Sequence, residues 1–399
     1  MTLRARDHLE MVRSGVALAV AVALLVSGCS SDDGAAPPPT STLTDSAGQK
    51  LPEPSATVLD PAKAAALQAV LAKVVSTPTT EAGSRGVTAA VVTDKWIWSG
   101  AAGNDAAGTA LTPQTSMGVA SITKTFVAAE VLLLAQANKL NLDAPLSQYV
   151  KHKLTANNAT VRQHLSMRSG VPNYLPADYG NLDKAIKAAP GKHWTPEEAL
   201  SYDTAEPAQP DSPYNYSNPS YVLLGMLIEK VTGEPLATVL RRDLATAAGL
   251  ERAAFQDGEK PKPPLAEDRN PVCGPAVDGY TPCRAIASLS AANAGLAADA
   301  PTVARWGYQL YGDRVVPADL VKQLTTGDGE YGLGTMLFSQ TYGLGTAYGH
   351  HGEMPDYTSL LVTIPSHKLS VAVILADGNK RPNSVVTGLI TAIQPLLGG

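Results

Sequence analysis

Several things are missing from this chain, and each absence narrows what it can be. No block of it is strongly basic, and the net charge over 399 residues is −5, so nucleic acid is not an expected partner. No internal repeat is visible, which sets aside solenoid and propeller architectures. The apolar run from Val16 to Val26 is too short to cross a bilayer comfortably. Cysteine is scarce, with three in all: Cys29, Cys273 and Cys283. No histidine and no second cysteine pair stands beside the last two, so zinc is not expected there. What is present is an ordinary globular composition, 44% apolar and 17% charged. The length suffices for one large or two ordinary domains with a substantial core.

The N-terminus reads as a processing signal. Arg4, Arg6 and Arg13 precede the apolar run, which ends in Ser27-Gly28-Cys29, the order of charged region, short apolar region and small-residue cleavage site. Val26-Ser27-Gly28-Cys29 resembles the lipobox of bacterial lipoproteins. That resemblance implies cleavage after residue 28, a lipidated Cys29, and attachment to the outer side of the bacterial cell membrane. A plain secretory signal with an incidental cysteine is the alternative. Outside the cytoplasm, Cys273 and Cys283 are expected to form a disulfide, and closing so short a loop stabilises by roughly 2–3 kcal/mol in the chain-entropy model. Residues 29–58, rich in Ser, Thr, Ala and Pro, read as a disordered tether.

Beyond the tether, Asp60-Pro61 opens a helix with Leu67, Val70, Leu71 and Val74 on one face. Two apolar stretches between Gly86 and Gly103, separated by Asp94-Lys95, predict a hairpin. Residues 141–299 are mostly helical in pattern, with polar loops and a stapled Pro/Gly-rich loop over 257–284. A helix is expected at 300–311. Strands are expected near 332–338, 347–352, 357–364 and 369–375, and a helix closes the chain from Val385. Strands at both ends with helices between them predict one sheet built from the terminal segments, over about 59–140 and 300–399, with a helical lobe inserted at about 141–299.

Three short motifs carry chemistry. Ser121-Ile-Thr-Lys124 places a serine and a lysine nearly one helical turn apart on a buried helix. A serine hydroxyl needs a base to become a nucleophile, and burial lowers a lysine pKa so that it can be that base. Tyr216-Ser217-Asn218 adds a phenol, expected to be acidified by the lysine charge, and an amide that can align lysine and substrate. An N-cap with its Pro, and a core aromatic, would explain the same residues structurally. In Gly349-His350-His351-Gly352, small residues allow close approach of a substrate, and His350 could donate to a substrate carboxylate or an anionic intermediate. Neighbours on a strand point to opposite faces, so at most one histidine faces a site and the pair is not an expected metal site.

In this order the three motifs resemble the serine β-lactamase-like superfamily, in the branch of class C β-lactamases, D-alanyl-D-alanine carboxypeptidases and related esterases. Leu142-Asp143-Ala144-Pro145, Ser169-Gly170-Val171-Pro172, Tyr331-Gly332-Leu333-Gly334 and Gly349 through Ser359 extend the likeness. The resemblance covers about residues 60–397 and implies an α+β fold with an antiparallel sheet flanked by helices. It implies Ser121 as acylated nucleophile, Lys124 as its base and Tyr216 as proton shuttle. It also implies Asn218, His350, His351, Gly352 and Glu353 as substrate-binding residues, with the N–H groups of Ser121 and Glu353 as oxyanion hole. No metal or organic cofactor is implied. His351 stands where the family usually has threonine, and Asp356 where a glycine commonly precedes the aromatic.

The expectation is a lipid-anchored, monomeric serine hydrolase of D-alanyl-D-alanine carboxypeptidase type, acting on peptidoglycan-type peptides. An esterase is the runner-up, favoured by His351 and Asp356, and a β-lactamase comes third. A non-catalytic binding lipoprotein is the alternative of another class, disfavoured because a binder need not keep Ser121, Lys124 and Tyr216 together.

Overall fold

A computed structural model of the protein describes residues 47–397, apart from 212, 271, 276–278, 328 and 339–340. The signal segment, Cys29 and most of the tether lie outside the described residues. The end of the tether is a correction: residues 47–58 are packed onto the folded body. Leu51 is buried and its N–H donates to the Gly312 carbonyl at 2.8 Å, and the Ser55 N–H donates to the Thr93 carbonyl at 2.9 Å. Glu53 pairs with Arg314. One large apolar side chain with a pocket to fill outweighs the polar composition around it.

The main sheet has six strands, all antiparallel. They are β1 (Gly86–Thr93), β2 (Ile97–Gly103), β3 (Met336–Phe338), β4 (Ala347–Met354), β5 (Tyr357–Ile364) and β6 (Leu369–Leu375), in the order β2-β1-β6-β5-β4-β3. Both chain ends therefore meet at β1 and β6, where Ala90 faces Ala372 in register. Alternation along the central strands divides the core in two. Val87, Ala89, Val371 and Val373 join one cluster with Leu67 and Leu71 of α1 (Pro61–Ser76) and Leu389 of α5 (Asn383–Leu397). Ala90, Ala372 and Ile374 face the larger cluster, which holds α2 (Thr123–Gln136), α3 (Asn218–Thr232) and α4 (Ala300–Tyr311).

α4 lies close on the sheet at Gly307, where an added Cβ would meet Leu361 Cδ1 at 2.6 Å and Thr363 Oγ1 at 2.5 Å. Trp306 on the same helix stacks on Phe126 of α2, with centroids 3.7 Å apart, and its indole N–H donates to Thr125 Oγ1 at 2.8 Å. α2 is thereby held against α4, which itself lies on the sheet's second face. That contact positions everything in the site.

The expected strand from residue 332 begins only at Met336. Gly334, at φ +70°, turns the chain instead, and an added Cβ there would lie 2.4 Å from Ala128 Cβ of α2, so the loop must hug the helix. Between α2 and α4 the chain is mainly short helices. A three-stranded sheet of Met117–Gly118, Leu296–Ala298 and Ala254–Phe255 interrupts them, as does a helix over Pro176–Ala188 that the polar sequence there did not reveal. Cys273 and Cys283 are disulfide-bonded, with Cα atoms 5.9 Å apart.

Candidate active site

Ser121 stands in a 3₁₀ turn (Ala120–Ile122) that runs directly into α2. The residue before it, Ala120, is buried with φ +49°, a left-handed conformation costly for a residue with a Cβ. The surroundings hold it there. The Val119 N–H donates to the Leu296 carbonyl at 3.0 Å, its carbonyl accepts from Ser359 Oγ at 2.8 Å, and Thr123 Oγ1 donates to the Ala120 carbonyl at 2.7 Å. The turn is thus tied to the sheet at β5 and to the strand Leu296–Ala298.

Lys124 is fully buried, and its Nζ lies 3.0 Å from Ser121 Oγ. It donates to Asn218 Oδ1 at 2.8 Å and to the Asn293 carbonyl at 2.9 Å. Burial pushes the Lys124 ammonium well below its ordinary pKa. A neutral amine has two N–H bonds and one lone pair. With both hydrogens committed to carbonyl oxygens, the lone pair remains for the Ser121 hydroxyl proton. The Tyr216 hydroxyl approaches from the other side and donates to Ser121 Oγ at 2.8 Å. Ser121 can therefore give its proton to Lys124 while Tyr216 holds another beside the same oxygen.

Asn218 is free to do this because it does not cap its helix. Ser217 is the N-cap of α3, its Oγ accepting from the Ser220 N–H at 3.2 Å, and Pro219 follows in the first turn. The Asn218 Nδ2 group donates to the Tyr179 hydroxyl at 3.3 Å, so its two ends bridge Lys124 and Tyr179. The expected acidification of Tyr216 is overturned. Burial pushes its phenol well above the ordinary value, and an uncharged lysine supplies no positive field to oppose that.

β4 forms the opposite wall. His350 faces the larger core cluster and the site: its ring is 6.3 Å from the Tyr216 ring, and Tyr331 lies edge-on at 5.7 Å. A carbonyl can only accept, so Nδ1 carries the hydrogen and donates to the His351 carbonyl at 2.5 Å. Nε2 then accepts from the Tyr331 hydroxyl at 3.1 Å. The expected donation from His350 to a substrate is overturned, because both of its nitrogens are occupied. Burial lowers its pKa to about 3.

His351, expected among the substrate-binding residues, points to the sheet's other face, with its ring 5.7 Å from that of Phe338. Strand alternation forbids both histidines from sharing a face. Gly352 lies against the turn before Ser121, where an added Cβ would meet the Val119 carbonyl oxygen at 2.2 Å. Glu353 is paired in register with Thr358, and its carboxylate lies 3.1 Å from Arg381. Asp356 occupies the turn between β4 and β5.

Sequence reasoning missed Tyr179, the Asn293 carbonyl and the role of Tyr331. A tyrosine in a polar helix and a main-chain oxygen carry no motif. Tyr331 was legible only as part of Tyr331-Gly332-Leu333-Gly334.

A buried Ser-x-x-Lys on a helix, answered by Tyr-x-Asn and by a strand of antiparallel sheet, defines the β-lactamase/transpeptidase-like class. The chain belongs to the Beta-lactamase family, a family of serine hydrolases, whose model matches residues 71–390. Among solved structures it is similar to a D-stereospecific amidohydrolase from Streptomyces sp., at 25% identity and TM-score 0.68, covering 81% of this chain and 97% of that one. It is similar in fold to the D-amino acid amidase of Ochrobactrum anthropi SV3, at 21% identity and TM-score 0.70, covering 84% and 99%. Protein flp of Staphylococcus aureus is 31% identical over 125 residues, 30% of this chain and 24% of that protein. The chain spans only about a quarter to a third of the length of these curated Staphylococcus aureus relatives.

Proposed function

We propose that the protein hydrolyses small amide or peptide substrates through an acyl-enzyme on Ser121. The observation that carries this reading is the arrangement at Ser121 Oγ, with Lys124 Nζ at 3.0 Å and the Tyr216 hydroxyl at 2.8 Å. Ser121 Oγ attacks the carbonyl carbon and its proton passes to Lys124. The C–N bond then breaks as Tyr216 gives its proton to the leaving nitrogen, and the Lys124 ammonium restores Tyr216. Water releases the acyl group by the reverse path. The N–H groups of Ser121 and Glu353 are the proposed oxyanion donors. Asn218 keeps the Lys124 lone pair aimed at Ser121. The names of the two solved neighbours, an amidohydrolase and an amidase, support amide bonds. D-amino acid peptides of peptidoglycan type are the substrate class that the sequence motifs favour.

The N-terminal sequence supports placing the enzyme outside the cytoplasm on a lipid at Cys29, and the Cys273–Cys283 disulfide suits that compartment. The test of the chemistry is active-site labelling of the chain lacking residues 1–46, which keeps the contacts of Leu51 and Glu53. Fluorophosphonate should label the wild type and not Ser121→Ala, and equal labelling of both would overturn the assignment. For the anchor, Cys29→Ala should move the protein from membranes to the soluble fraction.

A further inference from the structure

Carboxypeptidases must recognise a carboxylate next to the bond they cut, and β4 is where the motif places that recognition. In this chain the position is already filled. His350 is 0% exposed, its Nδ1–H is spent on the His351 carbonyl, and its Nε2 is covered by the Tyr331 hydroxyl. The next side chain along, His351, is turned to the other face against Phe338. Lys124 and Arg381 both already have partners. Lys124 is the buried base and is held by two carbonyls. Arg381 is already paired with Glu353 at 3.1 Å. Neither of these two cations is therefore unpaired.

We propose that this cleft selects amide, ester or peptide substrates whose leaving group is uncharged and discriminates against those ending in a free carboxylate, because the Tyr331–His350 contact and the His351 carbonyl occupy both nitrogens of His350 and Glu353 pairs with Arg381. The inference rests on the Ser121 reading and narrows it, from carboxypeptidase-like action towards the cutting of amides and blocked peptides. Tyr331 is a positioning residue in this scheme: it fixes which nitrogen of His350 faces inward.

The probes are a matched pair, an N-acetylated D-alanyl-D-alanine and its C-terminal amide, which differ only in the terminal charge. Each is used both as substrate and as protector of Ser121 against fluorophosphonate. The amide-ended peptide should give at least tenfold higher kcat/KM and should protect at a correspondingly lower concentration. Glu353→Gln, which leaves Arg381 unpaired, should raise turnover of the acid-ended peptide relative to the amide. Equal or better use of the acid-ended peptide by the wild type, or protection by neither, overturns the inference. Labelling that survives in Ser121→Ala instead overturns the serine reading beneath it, so the two failures are distinguishable.

Discussion

Ser217 caps α3, and its neighbour Asn218 is thereby released to hold Lys124 at 2.8 Å. Both residue types are good N-caps, and the chain assigns the duty to the serine. Ser217→Ala should therefore do two things. The lost cap should cost about 1 kcal/mol of stability, measured by urea denaturation. The uncapped N–H groups should also compete for the Asn218 amide, lowering kcat more than KM rises. A stability loss with unchanged kcat would separate the two residues again.

Asn218→Asp tests the electrostatics of the base. Lys124 works as a neutral amine whose pKa burial lowers, so kcat/KM should rise with pH as the ammonium loses its proton. Tyr216, pushed up by burial, keeps its proton above that limb. A carboxylate in place of the Asn218 amide favours the ammonium and should move the rising limb to higher pH. At any pH below the displaced limb, activity should then fall about tenfold for each unit of pH. An unmoved limb would rule out Lys124 as the titrating base.

Gly352→Ala tests the closeness of β4 to the nucleophile. The added Cβ would lie 2.2 Å from both the Val119 carbonyl oxygen and Ser359 Oγ, and neither the backbone nor a buried hydroxyl can give way by that much. Strand and turn must separate. Stability should drop by about 1–3 kcal/mol, and misplacing the serine relative to the strand should cost about 10²-fold in kcat/KM. Steady-state kinetics at a temperature where the variant is folded, checked by circular dichroism, reads this directly.

Glu130 tests how a charge deep in α2 is tolerated. It is buried, and burial first, then Asp243, raises its pKa from 4.5 to about 8; Arg242 and Lys139 oppose the shift. In the folded protein it therefore keeps a proton that the unfolded chain loses near its ordinary value. Its contribution to stability is full below about 4.5 and is lost as pH rises through about 8. Glu130→Gln should flatten stability over that window and be the more stable protein at its upper end. Parallel pH profiles of denaturation midpoint for the two proteins would contradict this.

Much of the fold was legible. The strands over 357–364 and 369–375 and the helix over 300–311 stand where apolar runs between turn residues placed them. Each is long, strongly patterned and buried, so local pattern and tertiary demand agree. The strand expected from 332 and the tether expected to 58 failed for one shared reason: the outcome depended on a surface supplied by distant residues. Gly334 bends to fit Ala128, and Leu51 lies under Gly312. Composition alone contains no information about such a partner.

What the sequence by itself determined is the identity of the chemistry. Ser121 and Lys124 are three positions apart, and helix geometry makes them neighbours whatever else happens. The order of the later motifs pointed to the family. What only the tertiary structure decided is the state of those groups. Tyr216 and Asn218 are 95 and 94 positions from Ser121 and Lys124 respectively, and their contacts leave one lone pair of a buried amine facing one hydroxyl. Protonation follows burial and hydrogen-bond partners, which no motif records. The same holds for the wall: two adjacent histidines read alike, and only the pleat of β4 turned His350 inward and Tyr331 closed it.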